Sequence, residues 1–296
     1  MSQPSLNLFF VIDKNYVPHF TVTLTSLLEN NRDLKIQVFL IHDIEEDERL
    51  DTALRYFKKR YHLRIISCPA DPALVNRFPT SDYISRATYF KFLLAELVPS
   101  DIDKGLYLDS DLLITGSLAE FVNPDFYDPL TDQSFGLLAA GDLYEEKEKN
   151  RLEQKGVTLN GYFNAGVMAI NLAKWREEKL ASKLIWLTEE SRELIRWHDQ
   201  DVLNIYFKHN WKRINSTYNT FSSQHRNPAP VIIHFGGLPK PWHYISSDYY
   251  KPLYRKYLRI TPFKNERFDT RSFRKIARKY WRYYKKRLRP RTAVIM

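Results

Sequence analysis

Four short apolar runs and three segments of helical spacing alternate through the first third of this 296-residue chain, and that alternation leaves few folds open. Leu6 to Ile12 reads as a buried strand, Ile36 to Ile41 as a second, Leu63 to Ser67 as a short third and Gly105 to Leu108 as a fourth. Between them, His19 to Leu28, Glu45 to Tyr61 and Ala87 to Val98 repeat apolar residues at helical spacing, the last ended by Pro99. The acids in the first turn of the middle segment suit the helix dipole. The pattern predicts an α/β fold with a mostly parallel central sheet and helices on both faces. Ligands of such sheets bind beyond the carboxyl ends of the strands, so chemistry is expected at strand exits.

Composition then removes whole classes of function. All nine glycines lie between Gly105 and Gly237. A phosphate-cradling P-loop or a dinucleotide fingerprint needs glycines at the first strand–helix turn, so ATPase, GTPase and nicotinamide dehydrogenase readings fall away. The single cysteine, Cys68, excludes intrachain disulfides and all-cysteine metal sites. The longest uninterrupted apolar run is Leu8 to Ile12, far short of the roughly 20 residues that span a bilayer. The opening Met-Ser-Gln-Pro-Ser has neither the basic start nor the apolar stretch of a secretion signal. A soluble or peripherally bound protein is expected.

The net charge of +10 is a matter of location. Residues 264–291 hold thirteen Lys and Arg against Glu266 and Asp269, and the rest of the chain carries 32 basic and 33 acidic groups. The body is neutral and the basicity is a tail, which argues against a nucleic-acid partner and places a boundary near residue 260. In the tail Phe273, Ile276, Ala277, Tyr280, Trp281, Tyr284 and Leu288 recur at helical spacing, with Lys and Arg over the remaining surface. One reading is a helix packed on the body. The other is a basic amphipathic helix in a membrane interface, each cation contributing about 1 kcal/mol near anionic lipid.

Five short segments could carry chemistry. At the exit of the first strand, Asp13-Lys14-Asn15-Tyr16 offers an aspartate, an amide and a ring suited to a nucleobase, or else a polar turn capping the next helix. After the fourth strand, Asp109-Ser110-Asp111 interrupts an apolar run, where carboxylates cost free energy unless paired or metal-bound. Mg²⁺ and Mn²⁺ take oxygen ligands and share such carboxylates with substrate phosphates. Asp101 and Asp103 have the same spacing but precede the strand, at the wrong end of the sheet. Tyr162 to Val167 reads as a loop entering a strand, and Trp197 to Asn204 as a helix start containing Asp199, Gln200 and Asp201. Last, His234-Phe235-Gly236-Gly237-Leu238-Pro239-Lys240 forms a loop with backbone N–H groups and an ammonium suited to an anion.

From Leu8 to His243 these segments, in this order, resemble glycosyltransferase family 8, especially the bacterial lipopolysaccharide α-glucosyl- and α-galactosyltransferases. The resemblance implies a GT-A fold over residues 1–262, a UDP-sugar donor (UDP-glucose or UDP-galactose), a divalent metal (Mn²⁺ or Mg²⁺) and retention of configuration. It implies that Asp13, Asn15 and Tyr16 hold the uridine. Asp109, Asp111 and His234 would ligate the metal, and Gly237 and Lys240 would contact the phosphates. Asn164, Asp199 and Gln200 would face the donor sugar together with Asp142, in Ala140-Gly141-Asp142-Leu143. Where the family usually has an arginine before the metal motif, this chain has Lys91, which keeps the charge but loses the bidentate fork. The acceptor implied is a saccharide or glycolipid at the cytoplasmic face of the cell membrane, which favours, for residues 263–296, the reading of the basic tail as attached to anionic lipid. Two rivals are a haloacid-dehalogenase-type phosphatase, whose D-x-D also follows an apolar strand, and a non-enzymatic binder driven by the basic tail.

Overall fold

The computed structural model describes residues 5–76, 78, 86–131, 136–224, 229–244, 246–266, 268 and 281. Strands β1 (Ser5–Ile12), β2 (Lys35–His42), β3 (Ile65–Pro69) and β4 (Lys104–Leu108) run parallel in the order β3-β2-β1-β4. Both faces of β1 are apolar. Phe9 and Val11 point into one core layer, while Leu6, Leu8, Phe10 and Ile12 point into the other. A strand buried on both sides reads as a continuous apolar run for that reason. Helices α1 (Val17–Asn30) and α2 (Glu48–Tyr61) cover the second layer. The latter starts at Glu48 rather than Glu45 because the Asp47 carboxylate accepts from Arg49 N and Leu50 N, capping it there.

The segment expected as a helix over Ala87 to Val98 is instead a 3₁₀ stretch, Arg86–Leu93, followed by one α turn, α3 (Leu94–Leu97). Tyr89, Phe90, Lys91 and Phe92 are all buried, so no face remains for solvent as an amphipathic helix requires. Tyr89 and Phe92, eclipsed by the threefold repeat, lie edge to face with ring centroids 5.6 Å apart.

Beyond the β5 strand (Leu112–Ile114) and the single turn α4 (Asp128–Thr131), the main sheet continues with β6 (Leu137–Gly141), β7 (Phe163–Asn171) and β8 (Trp211–Arg213), in the order β4-β7-β6-β8. β7 is antiparallel to both β4 and β6, and the remaining strands share one direction. The first residues of β7 therefore lie at the end where β4 and β6 leave the sheet. Helices α5 (Glu145–Glu153), α6 (Leu172–Glu177), α7 (Leu180–Glu190) and α8 (His198–Phe207) follow β6 and β7. A small second sheet sits at the same end, with β5 antiparallel to β10 (Ile232–His234) and β10 parallel to β9 (Thr220–Phe221). Helix α9 (Lys251–Leu258) packs Tyr254 and Tyr257 against this small sheet.

The body's packing runs past Pro262. Phe263 is buried among the α1–α2 core, Glu266 meets Arg49 at 3.3 Å, and the Phe268 ring lies 4.7 Å from that of His19. Of the tail stripe, Trp281 is exposed and the other six residues lie outside the described residues. Among the described residues, no helix is long and apolar enough to cross a membrane.

Candidate active site

Asp109 and Asp111 leave the sheet between β4 and β5, and α1 fixes the turn between them. Thr23 Oγ1 donates to Ser110 O (2.9 Å) and Leu112 O (2.8 Å), and Ser26 Oγ accepts from Ile114 N at 3.0 Å. These hydroxyls sit in a fully buried stretch of helix and give the two-carboxylate turn a rigid floor. Pairing of β5 with β10 sets His234 opposite Leu112, and Phe235 N donates to Asp111 O at 3.1 Å. His234 Nε2 therefore comes within 3.5 Å of Asp111 Oδ1 and 4.0 Å of Asp109 Oδ2.

One oxygen from each aspartate and one imidazole nitrogen lie within 4.8 Å of one another. The hydrogen bonds behind His234 decide which nitrogen is free. Asn164 Oδ1 accepts from Gly166 N (3.0 Å) and from Asn219 Nδ2 (2.9 Å), which orients both amides. Asn219 Oδ1 is then left as the acceptor 2.9 Å from His234 Nδ1, so Nδ1 donates there and Nε2 is the nitrogen turned toward the carboxylates. Two carboxylate oxygens and an imidazole nitrogen converging in this way fit a divalent cation with open positions for substrate oxygens. The packing is close enough to exclude a side chain at Gly166. A Cβ there would sit 2.5 Å from His234 Cε1 and 2.9 Å from both Asn164 Oδ1 and Asp109 Oδ2.

Two ammonium groups flank this group, Lys91 buried and Lys240 partly buried. Lys240 Nζ is 2.5 Å from Asp111 Oδ2 and donates to Phe235 O at 2.6 Å. Burial alone would raise the Asp111 pKa, but Lys240 and His234 outweigh it and hold the carboxyl well below the usual carboxylate range. Lys91, 2% exposed, lies 2.5 Å from Asp199 Oδ2, 3.5 Å from Asp109 Oδ1 and 4.7 Å from the centroid of the Tyr107 ring. Its burial opposes the charge, yet Asp109 and Asp199 more than compensate and keep its pKa above the ordinary lysine value.

Asp142, Asn164 and Gln200 meet beside the metal group. Asp142 Oδ2 accepts from Asn164 Nδ2 (3.1 Å) and Gln200 Nε2 (3.2 Å), while Gln200 Oε1 accepts from Asn164 Nδ2 (2.9 Å) and Ala165 N (3.2 Å). Asp199, the residue before Gln200, is turned the other way. Its carboxylate is taken up by Lys91 and by Thr88 Oγ1 at 2.6 Å, and it joins the 3₁₀ stretch to α8. Asp201 is fully buried on Arg151, Tyr162 OH and the backbone N–H groups of Arg196 and Trp197, a structural role.

On the other flank, Asp13 Oδ1 accepts from Asn15 N (2.7 Å) and Tyr16 N (3.2 Å), the turn geometry expected of such a segment. Asn15 is exposed, and Tyr16 stands edge-on to His19 and Trp242. Burial, then the charges of Asp111, Asp13 and Asp109, push the Tyr16 phenol above its usual pKa, so it stays protonated. Trp242 stacks on His19 at 3.6 Å and so ties the loop carrying Gly237 and Lys240 to α1. Gly237 takes φ +76°, left-handed backbone with open space around it.

Asn219 is the site residue that sequence reasoning passes over, since Ser216-Thr217-Tyr218-Asn219 reads as a polar turn. Its role arises only when β9 and β10 pair.

A family model described as glycosyl transferase family 8 matches residues 7–246. The lipopolysaccharide 1,2-glucosyltransferase of Escherichia coli is 29% identical over 282 residues, 88% of this chain and 80% of that protein. The lipopolysaccharide 1,3-galactosyltransferase of Salmonella typhimurium is 29% identical over 253 residues, 80% and 73% of the two chains. Among solved structures, that of the galactosyltransferase LgtC in complex with donor and acceptor sugar analogs superposes with a TM-score of 0.74 at 24% identity, covering 87% of this chain and 96% of that one. The fold is GT-A.

Proposed function

Because the chain belongs to glycosyltransferase family 8, we propose that it moves glucose or galactose, with retention of configuration, from a UDP-sugar to a saccharide of lipopolysaccharide or another glycolipid. The observation that carries this reading is the Asp109–Asp111–His234 group at the ligand end of the sheet, set beside the Asp142–Asn164–Gln200 network. Family membership sets aside the phosphatase and the non-enzymatic binder.

A bound Mn²⁺ or Mg²⁺, held by those three ligands, would neutralise charge growing on the departing diphosphate. The remaining work falls to side chains. Lys240 and the backbone around Gly237 supply further fixed positive charge on the same side, placed before the reaction rather than recruited during it. Asp13, Asn15 and Tyr16 hold the uridine. The Asp142–Gln200 pair orients the hexose and faces its developing positive charge. Gln200 presents no nucleophile for a covalent step, since its carbonyl oxygen already accepts from two N–H groups and its nitrogen donates to Asp142. A front-face course fits better, in which the leaving phosphate takes the proton from the acceptor hydroxyl as the acceptor oxygen closes on the anomeric carbon.

The basic tail attaches the enzyme to the cytoplasmic face of an anionic membrane, where UDP-sugar from solution meets a lipid-linked acceptor. The test of the central reading is a screen of UDP-sugars for hydrolysis in the presence of Mn²⁺, which needs no acceptor. Release of UDP from UDP-glucose or UDP-galactose is expected, and no release from any UDP-sugar would overturn it.

A further inference from the structure

The charged side chains joined at the metal-ligand cluster are Asp109, Asp111, Asp199, Lys91 and Lys240, and the imidazole of His234 ligates a metal only in its neutral form. Three carboxylates and two ammonium groups leave a charge of −1. A divalent cation arriving alone turns that into +1 inside a largely buried pocket, where the Asp111 and Lys240 side chains are 11% and 12% exposed. Uncompensated charge is costly in such surroundings. A cation arriving with a nucleoside diphosphate brings enough negative charge to restore the balance.

Lys240 is the group that sets this arithmetic. It bonds the Asp111 oxygen, Oδ2, that does not face His234, and a second bond to Phe235 O fixes it there. Without its charge the cluster would stand at −2, matched to a bare divalent ion. We infer that Lys240 makes metal binding conditional on the nucleotide: its ammonium suppresses uptake of the free cation and rewards the cation–diphosphate pair. The inference rests on the metal and UDP-sugar reading above and adds an order of events, since an enzyme of this kind stays unloaded in a cell rich in free Mg²⁺ until the donor arrives.

The test is calorimetric titration of the full chain with MnCl₂ alone, and again with saturating UDP, for wild type, Lys240→Met and Lys240→Arg. Near-ultraviolet circular dichroism checks that each variant is folded. Lys240→Met should bind bare Mn²⁺ at least tenfold more tightly than wild type, about 1.4 kcal/mol, while Lys240→Arg stays near wild type. UDP should tighten Mn²⁺ binding at least tenfold in wild type and by much less in Lys240→Met. If wild type binds Mn²⁺ with UDP but Lys240→Met takes up the bare ion no better, the inference is wrong and the proposed function stands. Equal wild-type affinity for Mn²⁺ with and without UDP overturns it independently of any variant. Failure of wild type to bind Mn²⁺ or UDP in any combination would sink both.

Discussion

Asp109 and Asp111 differ in their surroundings although one residue separates them. Asp111 is clasped by Lys240 and faces His234, whereas Asp109 takes the Tyr107 hydroxyl at 2.6 Å and shares Lys91 with Asp199. In the proposed metal site each supplies one ligand oxygen, so Asp109→Asn or Asp111→Asn should lower turnover about a thousandfold or more with the fold intact. Excess EDTA should have the same effect, reversed by Mn²⁺; full activity in the chelator would refute the metal reading. Asn219→Ala tests the layer behind the ligands. Deprived of its Nδ1 partner, His234 loses both tautomer and orientation, and Mn²⁺ affinity measured with UDP present should fall about 10–100-fold. An unchanged affinity would mean that the ring is held by its stacking on Phe221 alone. Gln200→Ala should slow sugar transfer far more than it weakens UDP binding, because Gln200 touches Asp142, Asn164 and Ala165 and no residue assigned to the nucleotide. Equal losses in the two measurements would contradict that placement.

Helix α1 does at the scale of an element what Asn219 does for one ring. Its first half carries Tyr16's neighbour His19, its middle holds the Asp109–Asp111 turn through Thr23, and its end reaches Ile114 O through Asn30. Thr23→Val keeps shape and volume but strands two buried carbonyls, which should cost about 1–3 kcal/mol of stability. Mn²⁺ affinity should weaken in parallel, and a variant with wild-type melting temperature and metal affinity would show the floor to be unnecessary. Elements of this kind were partly legible in the sequence. The parallel strands announce themselves because burial on both faces demands unbroken apolar runs, and α2 because one face is charged. The 3₁₀ stretch at Arg86–Leu93 was not legible, since a segment buried all round carries no periodic signal to separate one helix type from another. The carboxylate pair stood out as charge in an apolar run, but His234 was readable only through the family resemblance and Asn219 not at all. Both owe their roles to a three-stranded sheet in which β5 and β10 pair across about 120 positions.

At the scale of the molecule, the boundary between body and tail governs how the membrane reading is tested. Phe263 and Phe268 pack on the body, so a cut after Pro262 would open the core. Loss of a buried Phe side chain costs about 3–5 kcal/mol. Truncation after Phe268 is the cleaner experiment. It should leave UDP-sugar hydrolysis nearly intact, abolish sedimentation with anionic liposomes at moderate salt and sharply reduce transfer to a membrane-bound acceptor. Liposome binding that survives the truncation would assign attachment to the body.

The reversed strand β7 bears on how such an enzyme is inherited. Because it enters the site where β4 and β6 leave, the groups assigned to the sugar, Asp142, Asn164 and Gln200, arrive on one unbroken stretch of chain, while the groups assigned to the nucleotide and metal lie before Gly116 or after Asn219. Two crossovers, one ahead of β6 and one after α8, would exchange the whole sugar-reading cassette as a unit. Under the proposed assignment, a chimera that takes a relative's residues from β6 through α8 is expected to take on that relative's donor preference while keeping its own grip on the leaving group.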